Sequence, residues 1–312
     1  MKSAIEIGAA KHALRARMGW HWGGKHTRIW HGLPHGVLGI GFGVKRAEGK
    51  RVSGEALRVY VRKKLPLRAL SRRERIADEI DGYVTDVVPL SRVWAHQGPG
   101  GSISNSQGLS GTLGCVVQDP AGEYLLGSWH VLTNTSGHDG DPVFMPSRAV
   151  DGSAPVVGTL VATPTFHLNA GSNAFDASVA RIQEGVVIDT VFDAGRPFLS
   201  PGIATDSAAV TKNGAATGST AGSIDGASED ISVLYNGLAS ERAFLTGQIA
   251  IVGDEGNFSE EGDSGAMVCT ADLHPLGLIV GAASLRPGGS LPHSFASPIG
   301  PILAFYQVSI KI

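Results

Sequence analysis

From residue 111 to the C terminus, the chain consists of short apolar runs separated by clusters of Gly, Pro, Asp and Asn. These turn signals recur about every ten residues, and no run keeps a helical period for long. Short strands with this spacing are typical of a β-barrel or a β-sandwich. We therefore expect a mainly β domain over 111–312, with strands near 112–118, 124–126, 158–163, 177–182, 243–252, 266–270 and 276–284.

The first 95 residues follow a different pattern, which predicts a small α+β module. Apolar residues spaced among basic ones predict a helix over 1–18, and two alternating runs from residue 37 predict a β-hairpin. Ser71 as N-cap and Glu74 in a capping box predict a second helix over 71–80, followed by a strand over 83–89. The segment 96–110 is rich in Gly, Ser and Gln, so we expect it to link the two domains.

The two parts of the chain carry opposite charge. Residues 1–95 hold 19 of the 26 basic residues and 8 of the 28 acidic ones, although the net charge of the whole chain is only −2. Such a split fits either two halves that dock together or a basic module that binds nucleic acid or an acidic partner. We favour docking of the two halves of the chain on each other, because the basic residues are scattered and form no recognisable nucleic-acid motif.

The composition indicates a globular, cytoplasmic protein without a cofactor. Hydrophobic residues make up 42 % of the chain, but no apolar run is long enough for an export signal or a membrane span. Two cysteines cannot build a disulfide framework. Gly39, Gly41 and Gly43 do not form a nucleotide fingerprint, because no helix follows them.

A cluster of histidines near the N terminus is a weak candidate for metal binding. These residues alternate with tryptophans and lack the cysteine, carboxylate or helical spacing that a zinc site needs. We expect a docking surface and no metal at His21, His26, His31 and His35.

Three polar residues, each at the edge of an expected strand, carry the strongest chemical signal. Ser264 lies in the tight turn Gly262-Asp263-Ser264-Gly265, and His130 and Asp176 precede it in the chain. Each alone fits an ordinary turn or core residue. Together they fit a serine nucleophile, an imidazole base that takes its proton, and a carboxylate that fixes the imidazole tautomer. The Gly262 and Ser264 amides would then stabilise the oxyanion.

The segments around these residues resemble the trypsin-like peptidase family. They are Thr112-Leu-Gly-Cys-Val-Val, Leu-Leu-Gly-Ser-Trp-His-Val-Leu, Asn173-Ala-Phe-Asp-Ala-Ser-Val-Ala and Glu261-Gly-Asp-Ser-Gly-Ala-Met-Val. The resemblance implies a chymotrypsin-like double β-barrel with the active site between the barrels. It also implies a serine endopeptidase that hydrolyses a protein or peptide substrate through an acyl-enzyme.

The resemblance is closer to the intracellular branch that includes the plant narrow-leaf protein and bacterial homologues. It rests there on the run Lys212-Asn-Gly-Ala-Ala-Thr-Gly-Ser-Thr-Ala-Gly, on Phe295-Ala-Ser-Pro-Ile and on the strands after residue 37. Ala215 departs from the arginine that is common in the branch. In secreted trypsins the aspartate before the nucleophile pairs with a newly cut N terminus. We expect Asp263 to be accommodated without such cleavage.

By the family pattern, the substrate pocket has Phe258 at its base and Gly281, Ala282 and Ala283 as its far wall. These residues predict a small or medium apolar residue before the cleaved bond. Four acidic residues lie close to the serine turn in the sequence, and their negative field would attract basic substrates as an alternative. These are Asp254, Glu255, Glu260 and Glu261.

Two other functions remain open from the sequence. One is a catalytically silent, protease-like scaffold, and the other is a regulator whose N-terminal module binds a partner or nucleic acid. A homo-oligomer is also compatible with the sequence, whereas a membrane partner is not expected.

Overall fold

A computed structural model describes residues 4–17, 37–47, 50–61, 63–71, 75–89, 93–95, 103–188, 190, 196–235, 241–283 and 292–312. The described residues are mainly β, with 48 % in strands and 10 % in helices. Its described strands form an eight-stranded and an eleven-stranded sheet. No helix among the described residues has the length and apolar character needed to cross a membrane.

The described residues of the N-terminal part form one α-helix and five strands. They are α1 (Ala4–Arg17), β1 (Val37–Ala47), β2 (Lys50–Val61), β3 (Glu79–Ile80), β4 (Tyr83–Pro89) and β5 (Val93–Ala95). Strands β1 and β2 form an antiparallel hairpin, and β4 runs parallel to β2. Ala10 and Leu14 of α1 pack on the hairpin. The predicted first helix, hairpin and strand over 83–89 are thus confirmed.

The predicted helix over 71–80 is wrong in the part that the structure describes. A 3-10 turn at Leu67–Ala69 precedes it, and β3 takes its last two residues. Ile80 pairs with Tyr83 across a turn in which Asp81 and Gly82 have positive φ angles. Burial of the Ile80 side chain in this pairing outweighs the local capping signal.

The eight-stranded sheet provides the first half of the β domain. Its members are β6 (Ile103–Ser104), β7 (Ser110–Gly111), β8 (Cys115–Asp119), β9 (Gly122–Gly127), β10 (Pro142–Phe144), β11 (Val156–Val161), β12 (Ser178–Ile182) and β19 (Ser309–Ile310). Their spatial order is β19-β8-β9-β12-β11-β10-β6-β7. The short helix α2 (Trp129–Leu132) lies in the connection after β9. Strands β6 and β7 thus place residues 103–104 and 110–111, at the end of the expected linker, in this sheet.

The second half of the β domain is a closed ring of six strands. These are β13 (Ala209–Gly214), β14 (Gly218–Leu234), β15 (Arg242–Gly253), β16 (Met267–Thr270), β17 (Pro275–Ala283) and β18 (His293–Pro298). The order β13-β16-β17-β18-β15-β14 closes because β14 also pairs with β13. Helix α3 (Ile299–Tyr306) follows β18. Side chains from both sheets share one core, which holds the two halves together; examples are Val117, Leu126, Met267 and Leu278.

The N-terminal strands extend the second sheet, because β1 pairs with β14. Two buried ion pairs cross this junction: Lys11 Nζ lies 2.9 Å from Asp230 Oδ1, and Arg58 Nη1 lies 3.1 Å from Asp225 Oδ2. The close approach needs glycine at position 41, where a Cβ atom would overlap the Glu229 carboxylate. Basic residues of the N-terminal part therefore contact acidic residues of the β domain, as docking requires. The division into a module and a protease domain stays a prediction.

Candidate active site

The structure brings His130 and Asp176 into direct contact. His130 lies in α2, and Asp176 lies two residues before β12, so strand pairing in the first sheet places both at one end of it. The imidazole Nδ1 lies 2.6 Å from Asp176 Oδ2, and the His130 amide donates to Asp176 Oδ1 at 3.1 Å. This two-point contact fixes the imidazole ring and favours a proton on Nδ1, which leaves Nε2 to act as a base.

Further side chains hold Asp176 in place. The Tyr235 hydroxyl donates to Asp176 Oδ2 at 2.6 Å, and the Asp176 amide donates to Ser297 Oγ at 3.0 Å. Ser297 in turn donates to Gln248 Oε1 at 2.7 Å. Burial, together with the nearby Asp176 charge, raises the pKa of Tyr235 well above its ordinary value, so the phenol stays a donor. The carboxylate therefore accepts three hydrogen bonds in a buried position.

Ser264 lies in a turn that two glycines make possible. Gly262 has φ +100° and Gly265 has φ +89°, both in the left-handed region where a side chain is strained. Thr112, before β8, fixes this turn: its amide donates to Ser264 O at 2.7 Å, and its hydroxyl donates to Gly262 O at 2.9 Å. The turn of the second sheet is thereby attached to the first.

The serine turn lies against the segment that carries the imidazole. A Cβ atom on Gly265 would lie 3.1 Å from the nitrogen of Ser128, two residues before His130. The Ser128 hydroxyl also reaches across to Ile279 O at 3.0 Å. His130, Asp176 and Ser264 therefore share one junction between the two sheets, and all three are 0 % exposed. Their catalytic roles stay predictions.

Asp263 has an internal cationic partner. Lys212 Nζ, from β13, lies 3.1 Å from Asp263 Oδ2, and both side chains are fully buried. Burial alone would raise the pKa of Asp263. The Thr217 hydroxyl, the Lys212 ammonium and the Glu260 and Ala216 amides outweigh it, so the pKa lies below its ordinary value. Burial lowers the pKa of Lys212, and Asp263 partly opposes this. The carboxylate therefore stays charged without a cut N terminus.

The predicted oxyanion donors lie in the same turn. The Gly262 amide makes no hydrogen bond to any residue that the structure describes, which leaves it available to an incoming oxygen. The Asp263 amide, by contrast, donates to Glu260 O, and the Gly265 amide donates to Ile279 O. The role of Gly262 and Ser264 as oxyanion donors remains a prediction.

The predicted pocket residues lie on two elements of the second sheet. Phe258 is 1 % exposed and packs with Val210 and Ile224 in the core of the ring. Gly281, Ala282 and Ala283 form the end of β17 and pair with β5. The structure thus places the expected wall beside a segment from the N-terminal part, and the specificity of the pocket stays a prediction.

Sequence reasoning missed Tyr235, Ser297 and the pairing of Lys212 with Asp263. Tyr235 follows β14 and Ser297 lies in β18, far from Asp176 in the chain, so no local spacing indicated them. Lys212 was noticed only as part of a motif. Its pairing with Asp263 could be predicted only with the knowledge that β13 pairs with β16, the strand after the serine turn.

No group of residues in the described part of the chain is arranged to hold a metal ion. The histidines at 21, 26, 31 and 35 lie outside the described residues. Cys115 and Cys269 are free and buried.

Comparison with solved structures identifies the fold. A protein described as a glutamic-acid-specific serine protease that uses a histidine triad in substrate binding has a TM-score of 0.50. It is 19 % identical, and the match covers 68 % of this chain and 98 % of that one. Thermobifida fusca protease A has a TM-score of 0.49 at 18 % identity, covering 68 % and 96 % of the two chains. Cellulomonas bogoriensis chymotrypsin has a TM-score of 0.47 at 19 % identity, with the same coverage.

No protein-family model and no curated protein matches the sequence. The structural likeness nevertheless confirms the predicted chymotrypsin-like double β-barrel.

Proposed function

We propose that this chain is a serine endopeptidase in which Ser264 is the nucleophile. The Ser264 hydroxyl adds to the carbonyl carbon of a peptide bond, and its proton passes to Nε2 of His130. The tetrahedral intermediate collapses as the C–N bond breaks, and His130 returns the proton to the leaving amine. Water then repeats the addition on the acyl-enzyme and releases the acid and Ser264.

The contact between His130 Nδ1 and Asp176 Oδ2 carries this proposal. At 2.6 Å it orients the imidazole and stabilises the imidazolium that forms when Ser264 loses its proton. The position of the serine turn against the segment of His130 supports it further. A purely structural histidine would need neither a glycine-bounded serine turn nor a carboxylate that accepts three hydrogen bonds.

The Lys212–Asp263 pair supports a finer proposal about assembly. We infer that the serine turn forms without cleavage of the chain, because Lys212 supplies the positive charge that Asp263 needs. This fits the resemblance to the intracellular, narrow-leaf-like branch, whose Lys-x-Gly run contains Lys212. The free, buried cysteines support a cytoplasmic location, since oxidising compartments favour disulfides.

The substrate class follows from the residues near the turn. We propose a protein substrate with a small or medium apolar residue before the cleaved bond, because Gly281, Ala282 and Ala283 present little side-chain volume. Exposed acidic residues give the approach a negative field that also favours nearby basic side chains; these are Asp254, Glu255, Glu260 and Glu261.

Hydrolysis of an unfolded protein, such as fluorescently labelled casein, tests the proposal. Ser264→Ala should reduce kcat/KM by about 10⁴-fold or more, since the triad acts as a unit. Ser259→Ala, which removes a buried hydroxyl bonded to Ser294 Oγ, is the matched control and should retain activity. Equal rates for folded wild type and Ser264→Ala, together with no fluorophosphonate labelling of the wild type, would favour a silent scaffold.

A further inference from the structure

Strand β5 lies beside the candidate site, although it comes from the N-terminal part of the chain. Its three residues pair antiparallel with the end of β17, with Ala95 opposite Gly281 and Val93 opposite Ala283. On its other side, Val93 and Trp94 pair in parallel with Val233 and Leu234 of β14. The strand therefore fills the space between β14 and β17.

Both neighbours of β5 lead directly to the site. Val280 precedes Gly281 in β17, and its carbonyl oxygen lies 3.4 Å from Ser264 Oγ. Tyr235 follows Leu234, and its hydroxyl donates to Asp176 Oδ2. The segment 93–95 is thus held one residue away from groups that touch the nucleophile and the carboxylate.

The direction of β5 matches that of a polypeptide presented for cleavage. A serine protease attacks a carbonyl at the C-terminal end of the acyl segment, so that segment must run toward the nucleophile. From Val93 to Ala95, the paired residues run from Ala283 back to Gly281, toward Val280 and Ser264. Addition of an extended segment to a sheet edge is a general mode of peptide binding.

The site is closed while β5 is in place. Ser264 and His130 are both 0 % exposed. For attack, the carbonyl carbon of a substrate must come within about 3 Å of the Ser264 hydroxyl oxygen. A polypeptide therefore cannot bind productively to this arrangement unless something moves.

We propose that residues 93–95 occupy the place of a substrate strand and hold the enzyme in a closed resting form. The inference rests on the proposed function, and it names the chain's own segment as the occupant of the substrate edge. An external polypeptide would add to the edge formed by Gly281, Ala282 and Ala283 only after β5 leaves it. Since β5 follows the N-terminal part directly, movement of that part would open the site.

Weakening β5 in the full-length protein tests this inference. Trp94→Pro removes a backbone N–H group from a residue that pairs with both Ala282 and Leu234. We expect kcat/KM for fluorescent casein to rise about tenfold or more over wild type. Val52→Pro is the matched control: it places the same ring in a partly exposed position of β2, beside a register shift in the hairpin, and should leave the rate unchanged.

A small fluorophosphonate probe, which needs no strand pairing, separates the two proposals. If all three proteins are labelled but Trp94→Pro cleaves casein no faster than wild type, the occupancy proposal is overturned and the proposed function stands. If the folded proteins are neither labelled nor active, both are overturned. If Trp94→Pro cleaves casein faster than wild type and Val52→Pro does not, the result supports both the proposed function and the occupancy proposal.

A second variant covers the case in which Trp94→Pro does not fold. Replacement of Val93, Trp94 and Ala95 by glycine keeps every backbone N–H group but weakens the strand. The triple-glycine variant should also cleave casein faster than wild type, but by a smaller factor than Trp94→Pro. A folded triple-glycine variant with the wild-type rate would overturn the occupancy proposal.

Discussion

The buried pair of Lys212 and Asp263 should respond very unequally to loss of either partner. Asp263 accepts hydrogen bonds from the Thr217 hydroxyl at 2.7 Å and from the amides of Ala216, Thr217 and Glu260 at 2.9 to 3.2 Å. Among the described residues, Lys212 has only the Thr217 hydroxyl and Gly218 O as other hydrogen-bond acceptors. The carboxylate is therefore well solvated by protein donors, and the ammonium depends on Asp263.

The magnitudes follow from what each substitution leaves behind. Asp263→Asn leaves an uncompensated buried ammonium, which should cost about 3–5 kcal/mol of unfolding free energy. Lys212→Met leaves a carboxylate with four donors, so the cost should be nearer the 1.5–3 kcal/mol of a single hydrogen bond to a charged group. The double variant removes both charges and should be more stable than the sum of the single effects predicts, by about 2 kcal/mol.

Urea unfolding at pH 7 measures these differences in a double-mutant cycle. The folded pKa of Asp263 is lowered, so its stabilisation is present above the unfolded pKa and is lost as pH falls through the folded value. Lys311→Met is the matched surface control. Its partner Glu123 lies 2.6 Å away, but both side chains are at least one-third exposed, so the loss should stay below about 1 kcal/mol.

Equal destabilisation by Asp263→Asn and Lys212→Met would refute this reasoning, as would strict additivity in the double variant. The same variants report on the serine turn. Fluorophosphonate labelling should slow more in Asp263→Asn than in Lys212→Met, because Asp263 lies between Gly262 and Ser264.

Three further predictions concern other parts of the molecule. Tyr235→Phe removes a hydrogen bond to Asp176 worth about 1.5–3 kcal/mol, so kcat/KM should fall about tenfold to a hundredfold; unchanged kinetics would exclude a positioning role. Burial raises the pKa of Glu229 to about 7, so wild-type stability should fall as pH rises from about 4.5 through 7, by at most about 3 kcal/mol. Glu229→Gln should remove that fall in urea unfolding at pH 5 and 8, and an unchanged pH profile would contradict it. Gly265→Ala should destabilise the fold by about 2 kcal/mol or more, since φ is +89° and the added methyl would meet Thr112 O, whereas Gly300→Ala in α3 has open space and should be neutral or stabilising.

The sequence predicted strands best where apolar and turn residues alternate clearly. The expected segments over 124–126, 158–163 and 243–252 correspond to β9, β11 and β15. In β9 and β15 both faces pack into cores, so each strand is visible in the sequence as an apolar run bounded by turn residues.

Strand β14 escaped prediction because its stability depends on distant residues. Gly218–Leu234 contains buried carboxylates at Asp225, Glu229 and Asp230, which look like loop residues in the sequence. The ion pairs of Asp225 with Arg58 and of Asp230 with Lys11 stabilise these charges in the fold. A pattern within one segment cannot show partners that lie more than 150 residues away.

The residues of the candidate site also include some that the sequence predicted and some that it did not. His130, Asp176 and Ser264 were identified from residue type, order and their places beside expected strands. Tyr235 and strand β5 were not, because their roles arise only when the two sheets and the N-terminal part pack together. The three residues of β5 precede a Gly/Ser-rich segment, and nothing in their sequence indicates that they pair with Gly281–Ala283.

Mass mapping of a fluorophosphonate adduct tests the central claim most directly. Full-length wild type and Trp94→Pro should each gain one adduct on the peptide that contains Ser264, and His130→Ala should gain it far more slowly. An adduct on another serine, or equal labelling in His130→Ala, would contradict the account of Ser264 as a nucleophile activated by His130.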